Sequence, residues 1–135
     1  MTPERAALVT PTRVIESVYD AFNRGDISYI LNQISPEAVW RQSETLPWGG
    51  EYRGREGVAE FFANLASQMD TISFGAKENV ELGSEVFSFG YYEGRSTQTG
   101  KSARADWMFR WRVRDGKIVL FDSYIDTAAL LAALP

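Results

Sequence analysis

The predominant spacing of apolar residues changes near Thr71, from a helical period to an alternating one. Before Thr71, apolar side chains recur every three or four positions, which is the pattern of amphipathic helices. After it, apolar and polar side chains alternate, which is the pattern of β-strands. This single change predicts an α+β domain in which helices come first and a sheet follows.

Three helices are predicted in the first half of the chain. Thr10 and Pro11 are typical of a helix start, and Gly25 suits the left-handed residue that closes the same helix. Asp26 can cap a second helix directly afterwards. A third helix is predicted over residues 55–69, where apolar side chains again follow a helical spacing.

The strands are predicted from alternation and from turn signals. One strand is expected over 37–44, before a loop of glycines and aromatics over 45–54. Four more are expected over 72–82, 85–95, 102–113 and 117–125, with a short helical tail over 127–134. Asp115 and Gly116 give a strong hairpin signal. Consecutive hairpins make a meander, so the predicted sheet is antiparallel.

Length and composition limit the chemistry that this chain can perform. Its 135 residues fit one domain, and we expect a single domain over 1–135 because no linker interrupts it. Cysteine and histidine are both absent, which excludes disulfides, thiolate zinc sites and the commonest general base. We therefore expect no metal and no cofactor, and acid–base groups drawn from carboxylates, tyrosine, lysine or water.

The charge and hydropathy patterns argue against two classes of partner. The net charge is −4 and no basic block is present, so we expect no nucleic acid partner. No stretch approaches the ~20 apolar residues of a membrane span. The segment from Met1 to Thr10 lacks the basic start and apolar run of a leader. We expect a cytoplasmic protein without a membrane partner.

One predicted strand defines the inner face of the sheet. Alternation places Trp107, Phe109 and Trp111 on one side, and the charged Arg110 and Arg112 on the other. The aromatic side must meet the helices. These large side chains, together with others from the helices, form either a solid core or the walls of a pocket for a small molecule.

The order of the elements resembles the nuclear-transport-factor-2-like (NTF2-like) fold. Three local strings are similar to SnoaL-like and ketosteroid-isomerase-related proteins: residues 18–26, residues 48–58 and residues 113–119. The resemblance covers essentially the whole chain. It implies a cone in which three N-terminal helices pack on a curved antiparallel sheet and enclose a pocket.

The resemblance, together with the alternation that turns every second strand residue towards the helices, implies a set of ligand-binding side chains. They are Val18, Phe22, Trp40, Gln42, Phe61, Tyr92, Trp107, Phe109, Trp111 and Ser123. The chain departs from classical ketosteroid isomerases at their functional positions. Gln42 stands where they place the base, and Val18 stands where they place the oxyanion-hole tyrosine. Aromatic residues stand on the strand where they place a protonated acid.

Glu44 is the candidate catalytic residue because it lies on the same side of the predicted strand as Trp40 and Gln42. A carboxyl held among tryptophans could act as an acid or a base near neutral pH. The alternative is that the strand ends before Glu44, which would place its side chain in solvent.

The strands after Thr71 also indicate a second apolar surface. Both faces of 85–95 and of 117–125 are rather apolar, whereas a sheet covered on one side only should carry polar residues outside. We therefore expect a homodimer through the outer face of the sheet. Its interface residues are Phe87, Phe89, Tyr91, Leu120 and Tyr124.

Two functions remain open at this point, and both need a small apolar molecule as partner. The first is a cofactor-free isomerase, cyclase or hydratase acting on a polyketide-, terpenoid- or steroid-like substrate. The second is a non-catalytic module that binds a hydrophobic ligand or forms a dimer. The fold hosts many unrelated activities, so the resemblance does not choose between them.

Overall fold

The computed structural model describes residues 10–135, which contain four helices and six strands. In chain order these are α1 (Pro11–Arg24), α2 (Ile27–Gln33), β1 (Ile34–Gln42), β2 (Gly50–Arg53), α3 (Gly54–Gln68), β3 (Met69–Leu82), β4 (Glu85–Ser96), β5 (Ser102–Arg114), β6 (Lys117–Ile125) and α4 (Thr127–Leu131). The predicted domain of residues 1–135 and the segment considered as a leader both include residues 1–9, which lie outside the described residues.

The helix boundaries follow the capping signals of the sequence. The Thr10 hydroxyl accepts a hydrogen bond from the backbone N–H of Arg13 at 3.2 Å, and Pro11 opens α1. Gly25 closes the helix with φ of 73°, a left-handed conformation that glycine adopts without strain. The Asp26 carboxylate then accepts from the N–H of Tyr29 at 3.1 Å and caps α2.

The six strands form one curved sheet in the order β2-β1-β6-β5-β4-β3. Strands β3 to β6 make the predicted antiparallel meander, and β2 pairs antiparallel with β1. The sheet is nevertheless mixed, because β1 pairs parallel with β6, with Trp40 opposite Phe121. Sequence periodicity could not reveal this pair, since it joins two strands that are distant in the chain.

The first strand differs from its predicted range in a way that affects the site. It runs from Ile34 to Gln42 rather than over 37–44, and the pairing with β6 shifts register between Ile34 and Val39. This irregularity accommodates Pro36, which has no N–H to donate to a ladder. The strand therefore ends two residues before Glu44. The predicted loop that follows also contains the short strand β2.

The concave face of the sheet holds the core against the helices. Its buried side chains include Trp40 of β1, Trp111 of β5 and Phe121 of β6, which meet Val18 of α1 and Phe61 of α3. Three helices packed on a curved sheet are the arrangement that the sequence predicted. Within the described residues, no helix has both the length and the apolar character needed to cross a membrane.

Candidate ligand pocket

A cavity of about 80 Å³ lies between the helices and the concave face of the sheet. Every helix and every strand except β2 contributes a side chain to it. The lining consists of Val18, Tyr19, Phe22, Ile30, Trp40, Gln42, Trp48, Phe61, Phe62, Leu65, Phe74, Tyr92, Phe109, Trp111, Phe121, Ser123, Ile125 and Leu130. No charged side chain is among these residues.

Nine of the ten side chains predicted to bind a ligand lie in this lining: Val18, Phe22, Trp40, Gln42, Phe61, Tyr92, Phe109, Trp111 and Ser123. Their spacing explains why they meet. Residues four apart share one face of a helix, and residues two apart share one face of a strand. Their role in binding stays a prediction.

Trp107 is the exception, because it is buried but lies outside the cavity lining. Its ring stacks on Phe109 with centroids 3.8 Å apart, and on Phe74 at 5.2 Å. It also lies across Gly90, where a Cβ would come within 2.5 Å of the indole. Alternation correctly predicted that Trp107 lies on the inner face of the sheet. Phe74 and Phe109, however, lie between Trp107 and the cavity.

Glu44 is exposed to solvent, which agrees with the alternative in which the strand ends before this residue and not with a position facing the pocket. It lies in the turn after β1 and is exposed. Alternation carries a side chain inward only while the strand continues, and β1 ends at Gln42. Glu44 is therefore not among the residues that line the cavity, and its catalytic assignment is not supported.

The loop between β1 and β2 contributes to the cavity wall. Two of its apolar side chains, Leu46 and Trp48, are buried, and Trp48 is part of the cavity wall. The Tyr52 hydroxyl donates to the carbonyl of Trp48 at 2.9 Å, while the side-chain amide of Asn64 donates to the Tyr52 hydroxyl at 3.3 Å. These contacts join the loop to β2 and α3.

Gly49 allows this loop to fold back on itself. A Cβ at this position would lie 1.8 Å from the carbonyl oxygen of Ser43, a distance at which no side chain fits. The Gly49 N–H also donates to the carbonyl of Leu46 at 2.8 Å. Glycine is needed here for close backbone approach rather than for an unusual φ.

Two phenols supply ionisable groups in the wall. The Tyr19 hydroxyl accepts a hydrogen bond from Nε1 of Trp111 at 2.8 Å, and the Thr71 hydroxyl donates to the Tyr92 hydroxyl at 3.3 Å. Burial raises the pKa of Tyr19 well above its ordinary value and also raises the pKa of Tyr92. Both phenols therefore stay protonated at neutral pH and can form hydrogen bonds, but neither can serve as a base.

Two further polar groups in the wall have no hydrogen-bond partner among the described residues. They are Nε1 of Trp40 and the hydroxyl of Ser123, and both atoms are buried. Gln42 is half-buried on the same side of β1 as Trp40. The polar residues of the wall thus lie on β1 and β6, in addition to the phenols of Tyr19 on α1 and Tyr92 on β4.

A second, more open cleft of about 330 Å³ adjoins the cavity. Phe22, Phe62 and Leu65 belong to the walls of both spaces. The rings of Phe22 and Phe62 have centroids 6.1 Å apart. A movement of these side chains would connect the inner cavity with the outer cleft.

Several cavity residues were not assigned to the pocket from the sequence. Tyr19, Phe74 and Phe121 contribute large rings, and Trp48 comes from the loop. Parity would have found Phe121, because it is two residues from Ser123 on β6. No local signal identifies Phe74, since its place in the wall depends on how β3 curves.

The outer face of the sheet only partly matches the predicted interface. Phe89 is 42 % exposed and Tyr124 is 57 % exposed, while Phe87 is half-buried. Leu120 is already buried within the single chain, so it offers little surface to a partner. Tyr91 is covered by the guanidinium of Arg104, whose central carbon lies 3.9 Å from the ring centroid. Dimerisation stays a prediction.

Ion pairs occupy the rest of this outer face. Arg41 lies 3.3 Å from the buried carboxylate of Asp122, and Arg110 lies 2.6 Å from Glu85. The hydrogen bond from Arg110 lowers the pKa of Glu85. The charged groups of β4, β5 and β6 therefore lie on the side of the sheet opposite the cavity.

The fold and the pocket agree with the family to which the sequence is matched. The chain belongs to the SnoaL-like domain family, whose family model matches residues 15–121. No match was found among curated protein sequences.

Solved structures support the same assignment. An NTF2-like protein from Burkholderia thailandensis is 30% identical, with 92% of this chain and 96% of that chain covered and a TM-score of 0.87. TerC, co-crystallised with polyporic acid, is 28% identical over 91% and 96% of the two chains, with a TM-score of 0.82. IdmH from Streptomyces antibioticus, a proposed polyketide cyclase, is 26% identical over 91% and 96%, with a TM-score of 0.70.

Proposed function

We propose that this protein binds a small, uncharged, largely apolar molecule of polyketide-, terpenoid- or steroid-like character in the cavity beneath the Trp48 loop. The observation that carries the proposal is the lining: aromatic rings dominate it, and none of the side chains that residues 10–135 contribute to it is charged. Such walls, with a few polar groups, are typical of small-molecule sites. The similarity to TerC, which was crystallised with polyporic acid, supports a small-molecule site.

The cavity volume has a consequence for how a ligand is admitted. Pockets for drug-sized molecules measure roughly 300–1,000 Å³, and an apolar cavity of ~150 Å³ is known to hold benzene. The cavity of about 80 Å³ is smaller than either. Binding therefore requires side chains to move, and Trp48, Phe22 and Phe62 are in position to do so.

Filling this cavity has a favourable energetic effect of useful size. A ligand that packs against the aromatic walls removes its own apolar surface and that of the walls from water, which contributes roughly 25 cal/mol per Å² of apolar area. The protein should accordingly be more stable with a bound ligand.

A second candidate function is a cofactor-free cyclase, isomerase or hydratase using the same cavity. The similarity to IdmH favours it. The described part of the chain contributes no carboxylate to the lining. The cavity would therefore act by folding and desolvating the substrate, with Tyr19 or Gln42 donating a hydrogen bond to a carbonyl. Glu44 has no part in this proposal because it lies in solvent.

The assembly belongs to the same proposal. We take the protein to be a cytoplasmic, single-domain homodimer without a cofactor, with Phe89 and Tyr124 at the centre of the contact. These two side chains are the most exposed of the five predicted interface residues. The cavity lies on the concave face of the sheet and the contact lies on the outer face. Because the two faces are opposite, the cavity stays accessible in such a dimer.

The proposal is tested by filling the cavity from within. Val18 is 3% exposed and lines the cavity, so Val18→Phe should obstruct it. We expect the fluorescent neutral probe N-phenyl-1-naphthylamine to bind the wild type, and Val18→Phe to weaken this binding at least tenfold.

The matched control is Val80→Phe, which makes the same change at a surface position 46% exposed on β3. Probe binding should be unchanged in this variant. Equal binding by the wild type and Val18→Phe, with both variants folded by circular dichroism, would show that the probe binds elsewhere and would contradict the proposal.

A further inference from the structure

The outer cleft lies where α1, the start of α2, the end of α3 and the start of β3 meet. Its volume of about 330 Å³ falls within the range of roughly 300–1,000 Å³ that is typical of small-molecule pockets, whereas the inner cavity of about 80 Å³ does not. Six of the eight residues that line it are apolar: Phe22, Ile27, Phe62, Leu65, Ala66 and Met69. The cleft can therefore accept an apolar group.

The wall between the cleft and the cavity includes side chains that line both spaces. Phe22, Phe62 and Leu65 are the shared residues. The rings of Phe22 and Phe62 are half-buried, and their centroids lie 6.1 Å apart. Side chains change rotamer much faster than helices or strands rearrange. The two spaces can therefore join without a rearrangement of the backbone.

The same two rings make the aromatic surface continuous from one space to the other. Phe22 contacts Phe74 of the cavity wall with ring centroids 5.1 Å apart, and Phe62 contacts Trp40 at 5.7 Å. An apolar molecule that passes between Phe22 and Phe62 would replace these contacts with its own surface. A ligand of sufficient length thus meets apolar groups along its whole course, from the cavity into the cleft.

The charge of the cleft limits what can lie at its outer end. Asp70 is the charged residue among those that residues 10–135 contribute to the two linings, and no basic side chain is among them. Burial raises the pKa of Tyr92 in the cavity wall, and the negative charge of Asp70 raises it further. The field of Asp70 therefore extends to the cavity wall. A ligand carboxylate or phosphate would meet this negative charge without a counter-charge.

We propose that the outer cleft is a second subsite of the same binding site, which takes an apolar extension of the ligand and rejects an anionic end. The ligand is accordingly longer than a single ring. One end occupies the inner cavity, the middle passes between Phe22 and Phe62, and the other end lies in the cleft. This inference rests on the proposed function, because it extends the same site. It adds the length of the ligand and the charge of its outer end.

The test uses three probes that share a phenyl ring: toluene, 4-phenyl-1-butanol and 4-phenylbutanoate. Two isoleucines of α2 distinguish the spaces, because Ile30 lines the cavity and Ile27 lines the cleft. In protein with ¹³C-labelled isoleucine methyl groups, we expect toluene to give intermolecular NOEs to Ile30 alone. In the complex with 4-phenyl-1-butanol, the ring protons should give NOEs to Ile30 and the CH₂OH protons should give NOEs to Ile27.

Two substitutions on one helix separate the cleft from the rest of the surface. Ala66 and Ala63 are both exposed on α3, but only Ala66 lines the cleft, and neither lines the cavity. Each buried methylene group strengthens binding about fourfold, so 4-phenyl-1-butanol should bind at least tenfold more tightly than toluene. Ala66→Trp should remove most of this difference and leave toluene affinity unchanged. Ala63→Trp, the matched control, should leave both affinities unchanged.

The charge of the outer end is tested with probes of equal length. At low ionic strength, where exposed charges are little screened, 4-phenylbutanoate should bind at least tenfold more weakly than 4-phenyl-1-butanol. Asp70→Asn should narrow this difference about threefold. Asp106→Asn removes the same charge from an exposed position on β5 that lines neither space, and it should leave the difference unchanged.

The outcomes distinguish this inference from the proposed function. If toluene reaches Ile30 but 4-phenyl-1-butanol gives NOEs to only one of the two isoleucines, the cleft is not a second subsite, and the proposed function stands. Equal effects of Ala66→Trp and Ala63→Trp, or equal affinities of the alcohol and the carboxylate, would overturn the inference in the same way. If no probe gives an NOE to Ile30, the proposed function fails and this inference fails with it.

Discussion

The hydrogen bond from Nε1 of Trp111 to the hydroxyl of Tyr19, 2.8 Å long, links β5 to α1 inside the core. Both residues also form part of the cavity wall. The bond satisfies the indole N–H and fixes the orientation of two rings that a ligand would contact. Removing the phenol oxygen would leave a buried donor unpaired, which costs about 1–3 kcal/mol.

Ionisation of the same phenol makes the free energy of unfolding depend on pH in the alkaline range. Burial raises the pKa of Tyr19 above its ordinary value of 10.0, so the unfolded chain releases this proton at a lower pH than the folded one. The contribution of the protonated Tyr19 phenol to the free energy of unfolding is therefore complete below about pH 10. It is lost as the pH rises further. In Tyr19→Phe, we expect the free energy of unfolding in urea to fall less steeply between pH 8 and pH 11 than in the wild type.

Tyr29→Phe is the control for this experiment, because Tyr29 is only half-buried, on α2. Identical slopes for the wild type and Tyr19→Phe would mean that the phenol ionises equally in the folded and unfolded states, contrary to its burial.

At the scale of elements, capping and periodicity predicted the helices and the meander well. Thr10, Gly25 and Asp26 act where they were expected to act because caps depend on a few neighbouring residues. The end of β1 was not predictable, since alternation continues formally from Gln42 to Glu44 while the backbone turns away. Because β1 ends at Gln42 and not at residue 44, the carboxylate of Glu44 is not part of the cavity lining.

The parallel pairing of β1 with β6 was also beyond the reach of local patterns. It places Trp40 beside Phe121 and puts Gln42 and Ser123 on neighbouring strands. Alternation identified the inward face of each strand separately. Only the order of strands in the sheet determines which inward residues become neighbours, and that order is a property of the whole fold.

The loop that carries Trp48 is the element expected to control access to the cavity. The Tyr52 hydroxyl donates to the carbonyl of Trp48 at 2.9 Å and accepts from Asn64 at 3.3 Å. We expect Tyr52→Phe, which removes both contacts, to speed probe association and dissociation several-fold. Stopped-flow fluorescence with N-phenyl-1-naphthylamine measures both rates.

The matched control is Tyr29→Phe, which lies on α2 outside the loop and the cavity lining. Its rates should equal those of the wild type. If Tyr52→Phe also leaves both rates unchanged, entry of the probe does not depend on the loop. The probe would then enter past Phe22 and Phe62, from the outer cleft.

At the scale of the whole molecule, the sheet separates two surfaces with different chemistry. Its concave face is aromatic and surrounds the cavity, whereas its outer face combines ion pairs with the exposed rings of Phe89 and Tyr124. The first arrangement suits a neutral small molecule. The second suits a protein contact in which apolar groups are surrounded by charged ones.

The outer face leads to a prediction about assembly. We expect a homodimer in sedimentation equilibrium, and we expect Phe89→Glu combined with Tyr124→Glu to give a monomer, because unpaired charges would be buried at the contact. Leu82→Glu, at a position 72% exposed at the end of β3, is the control and should leave the dimer intact. A wild type that stays monomeric at high concentration would refute the predicted interface.

The central claim is that a small molecule binds inside the aromatic cavity, and intermolecular NOEs test it most directly. The protein would carry ¹³C-labelled methyl groups on isoleucine, leucine and valine, with N-phenyl-1-naphthylamine as the ligand. We predict NOEs from the ligand to Ile30, Ile125 and Leu130, whose side chains line the cavity. NOEs confined to the exposed methyl groups of Ile72, Val80 and Leu82 would place the ligand on the surface and contradict the claim.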